Sequence, residues 1–274
     1  MPKRNPVEPV LRTWSEWDAD LQVQAAVAVV IPTILRPTLA QALTSVFAQE
    51  FDGRVQILVG IDQPQGSIDV LEATCRMAPS HCIVQALYPG YSTSVRHGGT
   101  CDACDGGALR TVLSYLANAP LIAYLDDDNW WGPRHLATLV HAIAEVDWAF
   151  SLRWFVHPET ARSICIDAWE SIGPGGGVFE NSGGWVDPNC LMIKRATCAP
   201  VIPWWTVPLP GDENGMSADR LVFDYLRRHR NSAGTGEASA FYRLDPADGM
   251  HPMRVERMGD AYAQAGAGLL PPES

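Results

Sequence analysis

Leu121-Ile122-Ala123-Tyr124-Leu125-Asp126-Asp127-Asp128 is the stretch that decides the fold. A short apolar run that stops abruptly at charge reads as a buried strand leaving the core at its carboxyl end. Helical spacing flanks it on both sides. Leu109, Val112, Leu113 and Leu116 precede it, and Leu136, Leu139, Val140 and Ile143 follow, with Pro133 near the first turn of the second helix.

The same alternation extends upstream. Val27 to Ile31 is a β-branched run ended by Pro32, and from Pro37 onward Leu39, Leu43, Val46 and Phe47 recur at helical spacing. Val55 to Ile61 is a second strand, closed by the turn cluster Asp62-Gln63-Pro64-Gln65-Gly66. Cys82 to Leu87 is a weaker strand, and a polar segment rich in Gly, Ser and Thr runs from Tyr88 to Asp105. Strands alternating with helices over residues 27–150 predict an α/β domain with a mostly parallel central sheet flanked by helices. Ligands bind outside the carboxyl ends of such strands. Asp62 and Asp126–Asp128 both stand at strand ends, so the two acidic tips should face one crevice.

Downstream the pattern changes. Strand-like pieces at Trp148–Val156, Ser163–Ala168 and Cys190–Ile193 are interrupted by a stretch, 172–188, that holds six glycines. One strong helix is expected over Ala218–Arg228. Residues 1–26 read as an irregular or partly helical lead-in, with Trp14 and Trp17 free to pack on the domain. Residues 251–274 read as a mobile tail. The division expected is a ligand-binding α/β half at 27–150 and a second half at 151–250.

The 274 residues carry 31 acidic against 20 basic side chains, a net charge of -11, and 47% are hydrophobic. That is ample for a sizeable core. The charge repels a phosphate backbone, and no basic stripe offsets it, so nucleic acid is not an expected partner. A diphosphate can still bind through a divalent cation, which inverts the local charge logic. No run of about 18 apolar residues reads as a transmembrane helix, and the start lacks a signal-peptide core, so a cytoplasmic protein is expected. Oligomeric state is not legible. Cys101 and Cys104 form one C-x-x-C among seven cysteines, without a second pair. This reads as free thiols rather than zinc, although His81 or His97 could complete a site.

Three adjacent carboxylates at a strand end repel one another. A hard divalent cation, Mn²⁺ or Mg²⁺, relieves that repulsion and keeps positions open for substrate phosphates. An N-cap and turn before Pro133 would need only one aspartate.

With those residues in view, 27–228 resembles a family 2 glycosyltransferase of the GT-A fold, a Rossmann-like architecture. Val29-Val30-Ile31-Pro32-Thr33 through Leu39, Ser45 and Gln49 is similar to that family's opening, and Ile61-Asp62 to its acidic nucleoside-contacting pair. Ala108-Leu109-Arg110 resembles its Ala-Arg-Asn element, and Leu125-Asp126-Asp127-Asp128 its D-x-D region. Gln63-Pro64-Gln65-Gly66 departs from the usual Asp-Gly-Ser turn and Thr111 from the common Asn, which leaves the base open between uridine, the favoured choice, and guanosine or another.

The resemblance implies transfer of a sugar from a nucleoside-diphosphate sugar to an acceptor hydroxyl, metal-dependent and inverting. Asp62 would accept from the base, Arg110 would lie near base or diphosphate, and Asp126 near the ribose. Asp127 also contacts the donor, as do Pro32, Thr33 and Arg36 in the turn after the first strand. Asp128 would be the principal metal ligand, with Asp126 and a late histidine, His251, as further ligands. Asp219 in Ser217-Ala218-Asp219-Arg220 resembles the family's acidic general base, and its helix N-terminus should keep it ionised. Asp212 and Glu213 are its rivals.

Acceptor recognition is assigned to the glycine-rich stretch with Trp185, Trp204, Trp205, Trp130 and Trp131, against core packing as the plain alternative. Glu180-Asn181-Ser182-Gly183-Gly184 reads as a loop that closes on the donor. A nucleotidyltransferase of related fold is the enzymatic alternative, although Pro32–Pro37 lacks the glycine-rich triphosphate loop. A phosphohydrolase would leave Asp62, Arg110 and Asp219 without a role. A non-catalytic carbohydrate- or partner-binding module is the third reading.

Overall fold

The computed structural model describes residues 10–15, 21–213 and 215–267. Strand β1 (Val10–Trp14) leads to β2 (Val27–Thr33), α1 (Leu39–Phe47), β3 (Val55–Ile61), α2 (Ile68–Cys75), β4 (Cys82–Tyr88) and α3 (Gly107–Leu116). Then come β5 (Leu121–Tyr124), β6 (Trp130–Trp131), α4 (His135–Ala142), β7 (Trp148–Val156), β8 (Ser163–Ile166), β9 (Gly173–Pro174) and β10 (Gly184–Trp185). The chain continues through β11 (Leu191–Lys194), α5 (Arg195–Cys198), α6 (Ala218–His229), β12 (Ser232–Arg243), α7 (His251–Met258) and α8 (Asp260–Gly266).

One ten-stranded sheet organises the molecule, in the order β1-β4-β3-β2-β5-β11-β7-β12-β6, with β8 on β7. Its centre, β4-β3-β2-β5, is parallel. Every residue of β2 and β3 is buried, because helices cover both faces and each side chain finds apolar neighbours. The architecture is the expected α/β sheet flanked by helices. The second half is grafted on through β11, antiparallel to both β5 and β7.

The strand order explains the location of the site. From β2 the chain steps outward through β3 and β4, then returns to β5 on the other side of β2. The carboxyl ends of β2 and β5 therefore flank a topological switch point, where loops diverge and leave a crevice. Ser45 of α1 and Gln49 just after that helix brace the segment that follows β5. Trp131 N donates to Ser45 Oγ at 3.1 Å, and Leu136 N to Gln49 Oε1 at 2.9 Å.

Two expectations are corrected, and two elements not read from the sequence appear. The lead-in is neither irregular nor helical over 10–14: it is an edge strand antiparallel to β4, with Trp14 packed against the main core. Trp17 lies outside the described residues. The tail is not loose over 251–267, where α7 and α8 form. Those helices are anchored by charge, since Arg254 donates to both oxygens of Glu170 and to Asp248 Oδ2, and an apolar-stripe reading misses such an anchor. Residues 268–274 lie outside the description. Finally, β12 is twelve residues long and pairs parallel with β7, a strand unread in the sequence because Gly, Ala and Ser dominate it. Helix α2, capped by Ser67 Oγ on Asp69 N at 3.1 Å, was unread too.

The glycine-rich stretch folds into the β9–β10 ribbon with a 3₁₀ turn, Gly177–Ser182, at its tip. Gly184 sits at φ +85°, and a Cβ there would stand 2.2 Å from Gly173 O, so only glycine closes the ribbon.

Candidate active site

The three aspartates that close β5 diverge rather than point together. Asp127 turns inward: Thr33 Oγ1 donates to it at 2.6 Å, Ile34 N at 3.3 Å and Arg36 Nη1 at 3.2 Å. It ties the turn after β2 to the end of β5, and burial pushes its carboxyl above the ordinary range despite Arg36 and Thr33. Thr33 is thus held by Asp127, and Pro32, buried in β2, lies so near Gly106 that a Cβ there would stand 2.9 Å from it; the φ of +81° at Gly106 turns the chain into α3. Asp127, Thr33 and Pro32 thus have structural partners beside the crevice.

Asp128 faces outward with its side chain 37% exposed and pairs with Arg36. Its carboxyl is pushed up to about 7, first by burial and then by Asp126 and Asp127, against the pull of Arg36. Asp126 is clamped between two elements. Arg110 of α3 pairs with one oxygen, and Asn189 Nδ2 donates to the other at 2.8 Å. Asn189 Oδ1 in turn accepts from Asp126 N at 2.7 Å.

Arg110 is buried, donates to Asp105 O as well as to Asp126, and lies 5.2 Å from the Trp205 ring centroid. Asp62 gives both oxygens to Thr93, accepting from its amide at 2.8 Å and its hydroxyl at 2.7 Å. It anchors the polar segment after β4 beside the crevice.

Asp219 stands in the first turn of α6. Its carboxyl is pushed up to about 7 by burial, with Asp105 and Asp187 adding to the rise and Arg220 and Arg110 opposing it. The helix N-terminus does not keep it strongly acidic as expected, because desolvation outweighs the field of one helix end. Arg110 thus feels both Asp126 and Asp219, and it connects the aspartate end of the crevice to the α6 end. Asp212 accepts from Met216 N at 2.8 Å in the loop before α6.

His251 is not in contact with the aspartates. Its ring lies edge-on to Tyr262, centroids 5.8 Å apart, and its Nδ1 is buried without a hydrogen-bond partner among the described residues. The segment leading to it does approach, since the charge of Asp245 acts on Arg36.

Several tryptophans assigned to the acceptor are core. Trp205 is fully buried against Tyr124, and Trp131 is buried with Nε1 donating to Asn189 O at 2.8 Å. Trp185 is buried too. Trp204 is 38% exposed beside Tyr225, and Trp130 stacks on Phe241 at 5.5 Å.

No protein-family model and no curated protein matches the sequence. Solved structures do match. TarS from S. aureus in complex with UDP-GlcNAc aligns over 88% of this chain and 66% of its own, at TM-score 0.56 and 14% identity. Mannosyltransferase PcManGT from Pyrobaculum calidifontis, in complex with GDP-Man and Mn²⁺, aligns over 94% and 69%, at 0.55 and 14%. This chain has the fold of a glycosyltransferase. Against the longer TarS structure it spans 38% of that chain's length, at TM-score 0.55 and 15% identity.

In a glycosyltransferase fold the donor set can be tested for a cation. Asp128, partly exposed at the crevice, has Asp126 and Asp127 beside it, like charges that a divalent ion would relieve, and Asp126 could share that ion beyond its contacts with Arg110 and Asn189. No three His, Cys, Asp or Glu side chains close into a cage among the described residues. Mg²⁺ or Mn²⁺ bound through one or two carboxylates plus substrate phosphates needs no such cage. The residues fit.

Sequence reading missed Asn189, Asp187 and Arg153. Asp187 Oδ1 accepts from Asn189 Nδ2 at 2.6 Å, fixing the amide that grips Asp126. Asp187 is held in turn by Arg153, which is fully buried and also pairs with Asp167 at 2.9 Å and Glu170 at 2.8 Å. The one visible signal was Asp187-Pro188-Asn189, polar residues set just before an apolar strand. All seven cysteines are free, and no helix among the described residues is long and apolar enough to cross a membrane.

Proposed function

We propose that this protein is a glycosyltransferase that moves a sugar from a nucleoside-diphosphate sugar, UDP-linked in preference to GDP-linked, to an acceptor hydroxyl. The reading is supported most by one relationship: Arg110 pairs with Asp126 while lying within the electrostatic reach of Asp219. A donor diphosphate bound at Asp126 and Asp128 would therefore present its sugar toward Asp219.

The chemistry is a single displacement with inversion. The acceptor oxygen attacks the anomeric carbon, its proton passes to the Asp219 carboxylate, and the bond from that carbon to the diphosphate oxygen breaks. A raised carboxyl near neutrality suits a base that must hold and release a proton. A divalent cation, when bound, offsets the charge that builds on the departing diphosphate. Asp128 would be its principal ligand, Asp126 the second and His251 a third candidate. Asn189 orients Asp126, and Asp127 with Thr33 and Arg36 fixes the turn that borders the donor. Residues 27–150 serve the donor and 151–250 the acceptor, with Trp204, exposed, and Trp130, partly exposed, as the rings left for sugar stacking.

The test is turnover. Incubation with UDP- and GDP-sugars, Mn²⁺ and a mixture of simple acceptors should release nucleoside diphosphate with wild-type protein. Asp219→Asn should release none while still binding the nucleotide. Equal release by that variant would remove Asp219 from the mechanism, and absence of release from every donor would count against the transferase reading.

A further inference from the structure

Arg220 is the cation that the buried charge network leaves over. Its guanidinium carbon lies 3.7 Å from the ring centroid of Phe179 and 4.3 Å from that of Trp185. The surrounding carboxylates are committed elsewhere: Arg153 pairs with Asp167, Glu170 and Asp187, and Arg254 with Glu170 and Asp248. Asp219, next in the chain, accepts from the backbone amide of Arg220 at 2.9 Å. Among the described residues the Arg220 side chain makes no ion pair.

Burial draws the Arg220 pKa below its ordinary value against the pull of Asp219, Glu170 and Asp187, yet none of its guanidinium nitrogens is among the fully buried unpartnered atoms of the described residues, so a ligand can reach the group. The two rings, 5.9 Å apart and inclined at 73° to each other, hold the group by cation–π contact. Among the described residues no side-chain N–H of Arg220 is taken up by a hydrogen bond, which leaves donors of the fork that matches a planar or tetrahedral oxyanion. Phe179 and Trp185 come from the glycine-rich 3₁₀ turn and ribbon, so that whole segment acts as the mount for one aimed cation.

We infer that Arg220 is a specificity-determining residue that binds a phosphate or carboxylate on the acceptor and so selects acidic acceptors, holding the hydroxyl beside Asp219. The inference rests on the glycosyltransferase reading and names its acceptor class. Neutral sugars lack the group that Arg220 holds.

The experiment measures binding of glycerol 3-phosphate and glucuronate, with glycerol and glucose as neutral counterparts, by ligand-observed NMR on the full chain with and without UDP and Mn²⁺. Wild-type protein should prefer one anionic probe over its counterpart by about tenfold, the size of one charge-assisted contact. Phosphate preference without glucuronate preference assigns a phosphorylated acceptor, and the converse a uronic acid. Arg220→Gln should erase the preference and leave UDP affinity within twofold. Arg220→Lys, which keeps the charge, should retain part of it and serves as the folded control. Equal binding of anionic and neutral probes by wild type, or an unchanged preference in Arg220→Gln, overturns the inference. So does a fall in UDP affinity instead, which would move Arg220 to the donor diphosphate. Failure of wild type to bind UDP would count against the transferase reading alone, and the probe comparison without nucleotide would still decide on Arg220.

Discussion

Asn189 and Asp126 hold each other by a reciprocal pair of hydrogen bonds: the Asp126 amide donates to Asn189 Oδ1 at 2.7 Å, and Asn189 Nδ2 donates to Asp126 Oδ2 at 2.8 Å. The pair joins the end of β5 to a turn 63 residues later, so the second half of the chain sets the geometry of the donor end. Asn189→Leu should leave the Asp126 amide without a partner and remove one of the two hydrogen bonds that Asp187 Oδ1 accepts from Asn189. The expected result is metal-dependent nucleotide affinity about tenfold weaker, and stability lower by about 1–3 kcal/mol, read by calorimetry and denaturant titration.

Asp127 and Asp128 are adjacent yet predicted to behave oppositely. Asp128→Asn should abolish metal-dependent nucleotide binding while leaving the melting temperature unchanged or raised, since a crowded charge is removed. Asp127→Asn should lower the melting temperature, because Thr33, Ile34 and Arg36 all lean on that carboxylate. Thermal melts and metal titrations on the two variants separate the roles.

Arg153 is fully buried among three carboxylates. Arg153→Met removes the charge that compensates them and should cost about 3–5 kcal/mol of stability. A denaturation midpoint close to wild type would show that the carboxylates take up protons or water at little cost.

The Asp219 carboxyl, raised to about 7, predicts the acid limb of the kcat/KM profile. A base must be ionised, so activity should fall as pH drops through about 7. Asp105 is one of the like charges that raise it, so Asp105→Asn should shift the limb to lower pH. The same sign governs stability. A carboxyl whose folded pKa exceeds its unfolded value binds more protons when folded, so stability declines as pH rises from about 4 to about 7. Metal-free protein should therefore melt higher at pH 5.5 than at pH 7.5, and added Mn²⁺ should narrow the gap.

Much of residues 27–150 was legible because its physics is local. β2 and β3 are buried on both faces and so read as continuous apolar runs, while α1 and α3 show a stripe at helical spacing. The acidic strand end at Asp126–Asp128 was legible as charge that no cap required. Which way each aspartate turns was not, because Asp127 is claimed by Thr33, Ile34 and Arg36 more than 90 residues away in sequence. Trp205 and Trp131 read equally as sugar platforms or core, and only their depth decides for core. β12 hid in small residues of low strand propensity. The anchoring of α7 hid in Arg254, a charge that reads as surface until its partners are known.

The measurement that tests the central claim most directly is calorimetric titration of the protein with UDP, GDP, CDP and dTDP, with and without Mn²⁺. The account predicts that UDP binds most tightly, only when Mn²⁺ is present, and not to Asp128→Asn. Binding of no nucleotide, or binding indifferent to the metal and to Asp128, would contradict it.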